Sequence, residues 1–136
     1  MRTNRQRDFV TNAGKGPVFD QVGGLNVIGS SGASTYTTPE FVGRMILRDP
    51  NGGAVSDVTP TAAALIALDP AAQVGDSYEV TIRNTANASE TITLTGGVGV
   101  TVVGTATIAQ SNQKTFLVVK TSETTISAYS MGTVVF

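Results

Sequence analysis

The chain has 136 residues, 40% of them hydrophobic and 14% charged, with a formal net charge of −1. That length fits one domain with a modest core, and the near-neutral charge excludes a general nucleic-acid binder, which needs a basic face to neutralise several phosphates. Histidine and cysteine are both absent, which removes disulfides, thiolate metal sites, the commonest general base and the commonest zinc ligands.

Residues 1–40 read as an extended N-terminal arm and residues 41–136 as a β domain. The arm is basic at its start, where Arg2, Arg5, Arg7 and Lys15 are opposed only by Asp8 within the first fifteen residues. Its isolated apolar residues, spaced among glycines, lack the period needed to fold alone. Two readings stand: a solvated, frayed segment, or an arm that docks on a neighbouring subunit or an acidic partner with Phe9, Phe19 and Val22 as anchors. No run approaches the ~20 apolar residues needed to cross a bilayer, and no apolar stretch follows the basic start. The expectation is a protein made in the cytoplasm that stays soluble until it assembles, with no membrane and no nucleic-acid partner.

Short β-like pieces follow at Leu25–Gly29, Ser34–Thr38 and Phe41–Arg48. The last alternates imperfectly and carries Arg44 and Arg48, which suits an edge strand or an extended connection. Asp49-Pro50-Asn51-Gly52-Gly53 is a turn, with proline fixing φ and Asn-Gly tolerating positive φ. One short helix is predicted over Pro60–Ala67, capped by Thr59 with Pro60 in the first helical position and stopped by Asp69-Pro70.

From residue 75 the strand pattern is plain. Tyr78, Val80 and Ile82 alternate with Glu79, Thr81 and Arg83, which gives the strand one apolar and one polar face. Ile92 and Leu94 repeat the pattern, as do Val98, Val100 and Val102. Further strands are expected at Thr105–Ala109, Thr115–Lys120 and Thr124–Met131. Strands of this spacing joined by turns predict an all-β fold, an antiparallel jelly-roll-like β-sandwich. The lack of visible crossover helices argues against parallel architecture. Leu117-Val118-Val119 and Val134-Val135-Phe136 are apolar on both faces, as in strands between layers or at a subunit interface. Val134, Val135 and Phe136 therefore either close the domain's own core or form an oligomer interface.

The search for chemistry finds little. Asp49, Asp57, Asp69 and Asp76 stand in turn and cap contexts, where aspartate serves the backbone. A carboxylate hydrolase using Asp76 or Glu79 is the least favoured class. The calcium-loop start at Asp49 loses its spacing after Asn51, and Pro60 stands where the closing glutamate belongs. Gly97-Val98-Gly99 leads to Val102 in place of a third glycine and enters a strand, so it is not a dinucleotide cradle. No enzyme activity, cofactor or metal is expected.

The succession Arg48-Asp49-Pro50-Asn51-Gly52, Asp57-Val58-Thr59-Pro60-Thr61-Ala62, Val74-Gly75-Asp76-Ser77-Tyr78, Ile82-Arg83-Asn84-Thr85, Ile92-Thr93-Leu94 and Gly99-Val100-Thr101-Val102-Val103-Gly104 resembles small virion proteins of tailed phages. These are head decoration, cement or capsid-associated fibre proteins. The resemblance covers about Phe41 to Gly132. It implies a jelly-roll-like body, a homotrimer on the exterior of an icosahedral head, the major capsid protein as partner, and stabilisation of the expanded shell. On that footing Arg2, Arg5, Arg7, Phe9, Lys15 and Phe19 are the expected capsid contacts. Related strand patterns occur in phage fibres and tailspikes, so a fibre module that attaches to a host surface is the alternative.

Overall fold

The computed structural model describes residues 24–136. In chain order it contains β1 (Leu25–Ile28), α1 (Thr38–Val42), β2 (Met45–Arg48), β3 (Val55–Val58), α2 (Ala62–Leu68) and β4 (Ser77–Asn84). There follow β5 (Ile92–Thr95), β6 (Val100–Val103), β7 (Thr107–Ile108), β8 (Asn112–Lys120) and β9 (Ile126–Val135). A six-stranded sheet has the order β1-β2-β4-β8-β9-β6, and a three-stranded sheet has the order β3-β5-β7. The fold is β-rich with two short helices among the described residues.

The expectation of purely antiparallel sheets is corrected, because both sheets are mixed. β1 with β2, β2 with β4, β9 with β6 and β3 with β5 all run parallel. Alternation along a strand reports its buried face and carries no information about the direction of its neighbour. Nor are crossover helices absent. α1 lies in the connection from β1 to β2, and α2 lies in that from β2 to β4. Each is too short to show a helical period of its own.

Residues 24–40 do not stand apart from the body. β1 pairs along β2 from Leu25↔Met45 to Ile28↔Arg48, and Tyr36 is wholly buried. The piece expected as one extended strand over Phe41–Arg48 divides. Phe41 and Val42 end α1, while Met45–Arg48 forms an interior strand between β1 and β4. A capping box starts α1: Thr37 N donates to Glu40 Oε2 at 2.7 Å, and Glu40 N donates to Thr37 Oγ1 at 3.4 Å. This Thr-x-x-Glu reciprocity satisfies backbone donors that have no partner within the helix.

The core lies between the two sheets. Val80, Ile82, Phe116, Val118 and Ala128 face it from the larger sheet, and Ile92, Leu94 and Ile108 from the smaller. Phe41 and Leu65 enter from the helices, each with no exposed surface. Burial of each large side chain contributes about 1.5–3 kcal/mol. α2 is capped by Thr61, whose Oγ1 accepts from Ala64 N at 3.1 Å, and not by Thr59. Thr59 instead accepts from Gly97 N at 2.9 Å and donates to Pro60 O at 2.8 Å, which ties the start of the helix to the β5–β6 turn.

Candidate interaction surface

The packing that buries one face of the six-stranded sheet leaves its other face uncovered by the described residues. On β4 the even-numbered residues from Tyr78 to Asn84 are buried, so Ser77, Glu79, Thr81 and Arg83 point away from the core. Register carries this outward face across the sheet. On one side it passes through Met45 and Leu47 of β2 to Leu25 and Val27 of β1. On the other it passes through Leu117 of β8 to Tyr129 of β9 and Val103 of β6. Two apolar flanks result, separated by the polar outward face of β4, where Thr81 and Thr115 share a 2.7 Å hydroxyl hydrogen bond. Leu25 and Val27 are 60% and 74% exposed. The helices and the second sheet supply side chains to the opposite, core-facing side.

The residues expected at an oligomer interface lie beside this face. β9 pairs with β8 from Ile126↔Lys120, shifts register between Ser130 and Thr133, and then places Val134 opposite Gln113. Gly132, at φ +110°, occupies the irregularity, where a residue without Cβ costs least. Val134 is 57% exposed and Val135 73%, so neither closes the domain's own core. Phe136 folds back. Its N–H donates to Ser111 O at 2.9 Å, and its ring centroid lies 3.5 Å from the guanidinium carbon of Arg83. Arg2, Arg5, Arg7, Phe9, Lys15 and Phe19, expected to contact a capsid, lie outside the described residues.

Beneath the opposite corner sits a polar cluster that sequence reasoning missed. Arg48 uses every N–H it has. Nε and Nη2 reach Asp57 Oδ2 and Oδ1 at 2.7 and 3.1 Å, Nη1 donates to Ser30 O and Asp49 O, and Nη2 also donates to Gly32 O. Asp57 accepts in addition from Tyr36 Oη at 2.7 Å and Ser34 N at 2.8 Å. A buried ion pair is tolerable only when its remaining donors and acceptors are satisfied in this way. Burial, aided by the Asp57 charge, pushes the Tyr36 hydroxyl pKa far above its ordinary value. Desolvation pulls the Arg48 pKa down, but its bonds and attraction to Asp57 outweigh that and leave it raised. The cluster fastens the 30–34 loop to β2 and β3, and its groups are spent on the backbone. The pairing of Arg48 with Asp57 across the Asp49–Gly53 turn is invisible to periodicity, because each residue alone reads as a strand-end or turn charge.

Two other carboxylates singled out in the sequence serve turns, while Glu79 stands mid-strand on the outward face of β4. Asp49 Oδ1 accepts from Asn51 N at 2.9 Å, and Asp76 Oδ2 accepts from Gln73 N at 2.7 Å. Lys120 is buried on β8 and donates to Ala72 O at 2.7 Å, which fixes the chain after α2. Asn84 joins the sheets: its Nδ2 donates to Glu90 O at 2.8 Å and Ile108 O at 3.0 Å. Among the described residues no three His, Cys, Asp or Glu side chains gather where a metal ion could be held. No helix among them is long and apolar enough to cross a membrane. Comparison of the chain with protein-family models, with curated proteins and with solved structures finds no match.

Proposed function

We propose that this chain is a structural virion protein that binds the exterior of a tailed-phage capsid as a homotrimer and stabilises the shell. The observation that carries the self-associating part is the pair of apolar flanks on the sheet face that the described residues leave uncovered. Permanent subunit contacts are apolar in this way, whereas free protein surfaces rarely hold a large contiguous apolar patch. The capsid as partner is supported by the resemblance of residues 41–132 to head decoration proteins, and the basic residues of the N-terminal segment supply charge for an acidic shell surface. Stabilisation follows by mass action: a protein that binds the intact expanded shell and not the disrupted one favours the former by RT ln(1 + [L]/Kd), about 2.7 kcal/mol at a hundredfold excess over Kd.

The test is co-sedimentation of the purified chain with undecorated, expanded heads, followed by thermal disruption of the heads. Saturable binding with a raised disruption temperature is expected. Deleting residues 1–20 is expected to abolish attachment while leaving the oligomer folded. Binding to host cells with none to heads would overturn the capsid reading in favour of a fibre module.

A further inference from the structure

We propose that residues 18–22 of this chain lie on the β1–β2 flank of its own six-stranded sheet and fasten the N-terminal segment there. The inference goes beyond the function proposed above and does not depend on it. The flank is formed by Leu25 and Val27 of β1, 60% and 74% exposed, with Met45 and Leu47 of β2 beside them, and the described residues leave it uncovered. Two strands of four residues, about 4.8 Å apart with a rise of about 3.3 Å per residue, make this flank roughly 10 by 13 Å. An extended stretch of five residues reaches about 17 Å, so a single pass of chain matches the size of this one flank.

What identifies the occupant is where the chain enters the sheet. β1 is an edge strand, and just before it Gly24 O accepts from Met45 N at 3.1 Å. Residues 1–23 are therefore rooted at the rim of this flank. Gly23-Gly24 at the root lets the chain reverse sharply, and the space around Gly24 is open. The first apolar residues met going back from the root are Val22, Phe19 and Val18. Groups tethered by so few residues face their site at an effective concentration of about millimolar, so a second copy at micromolar concentration competes poorly for the same surface. The basic start of the segment, Arg2, Arg5 and Arg7, is not consumed by this contact. The β8–β9–β6 flank lies beyond β4 and is left to contacts between copies.

The chain has neither cysteine nor tryptophan, so introduced ones report without background. A Phe19→Cys, Leu47→Cys double variant of the full chain, treated with a short bis-maleimide, is expected to couple within one chain, keeping single-chain mobility on a denaturing gel and gaining the mass of one linker. A mixture of the two single variants is expected to give no two-chain product. Phe19→Cys with Ser56→Cys, whose second thiol stands at an exposed position of β3 in the other sheet, is the control expected to couple far more slowly. The second measurement is the emission of Phe19→Trp, expected at the short wavelengths of a buried indole. Adding Val27→Lys is expected to move it to the solvent value while the circular-dichroism spectrum stays the same. A two-chain product from the mixture, coupling to Ser56→Cys as fast as to Leu47→Cys, or an emission that is solvent-like from the start or indifferent to Val27→Lys would overturn the proposal. No head enters the test, so its outcome and that of head binding are read apart.

Discussion

Arg48 and Asp57, nine residues apart and both wholly buried, form a forked ion pair whose shorter arm, Nε to Oδ2, is 2.7 Å. The turn between them is what allows β2 and β3 to belong to different sheets, so this pair is a clasp between layers. Removing one partner leaves a buried charge with nothing opposite, a loss of about 3–5 kcal/mol. Arg48→Met and Asp57→Leu are each expected to fall in that range by urea denaturation. The double variant is expected to lose much less than the sum, since it buries no unpaired charge. Full additivity would show that the two residues act separately.

Alkaline pH should attack the same cluster. Tyr36 is neutral in the folded chain, with its pKa held well above the ordinary tyrosine value of about 10 by burial and then by Asp57; burial alone does the same to Tyr78. Above that pH the unfolded chain releases protons that the folded chain keeps. Stability is therefore fully present below about pH 10 and falls as pH rises beyond it. Melting temperatures measured from neutral pH to above pH 10 should show the decline. Tyr36→Phe, though less stable at neutral pH for want of its bond to Asp57, should decline less steeply. An equal slope in the variant would exclude Tyr36 as a source.

Gly99 turns the chain from β5 into β6 with φ +82°, and a Cβ there would sit 2.8 Å from the Ala62 Cβ at the start of α2. Backbone strain of about 1–2 kcal/mol and the overlap act together on Gly99→Ala. Gly32→Ala, at a matching φ of +83° but with open space around it, carries the strain without the overlap. Equilibrium unfolding is expected to find Gly99→Ala the more destabilised of the two, and the reverse order would deny the close approach of helix and turn.

Much of the body was legible because period-two alternation is a strong local signal. Tyr78, Val80 and Ile82 face the core as their spacing requires, and Ala62–Leu68 is helical where alanine and leucine cluster. What local sequence does not encode is partnership. Val100–Val103 lies parallel to Ile126–Tyr129, and neither segment names the other. Thr37 and Glu40 did carry a helix-start signal in their spacing, one overridden by the β-like residues around them. The open flanks were likewise visible in part, as Leu25 with Val27 and Met45 with Leu47, two residues apart. That both pairs share one face needed the parallel register of β1 and β2.

The stacking of Phe136 on Arg83 is small in energy but decides where the end of β9 lies. A guanidinium over an aromatic face contributes about 0.5–1 kcal/mol at an exposed site. Arg83→Ala and Phe136→Ala are each expected to cost that much, and the double variant is expected to cost little more than either. Arg83→Lys keeps the charge but loses the planar stack, so it should recover only part of the loss. Hydrogen exchange at the Phe136 amide, which donates to Ser111 O, offers a local readout: faster exchange in Arg83→Ala is expected if the ring holds the strand end down. Additive losses with unchanged exchange would mean that Val134 and Phe136 are placed by backbone pairing alone, and that Arg83 is free to serve the sheet face by itself.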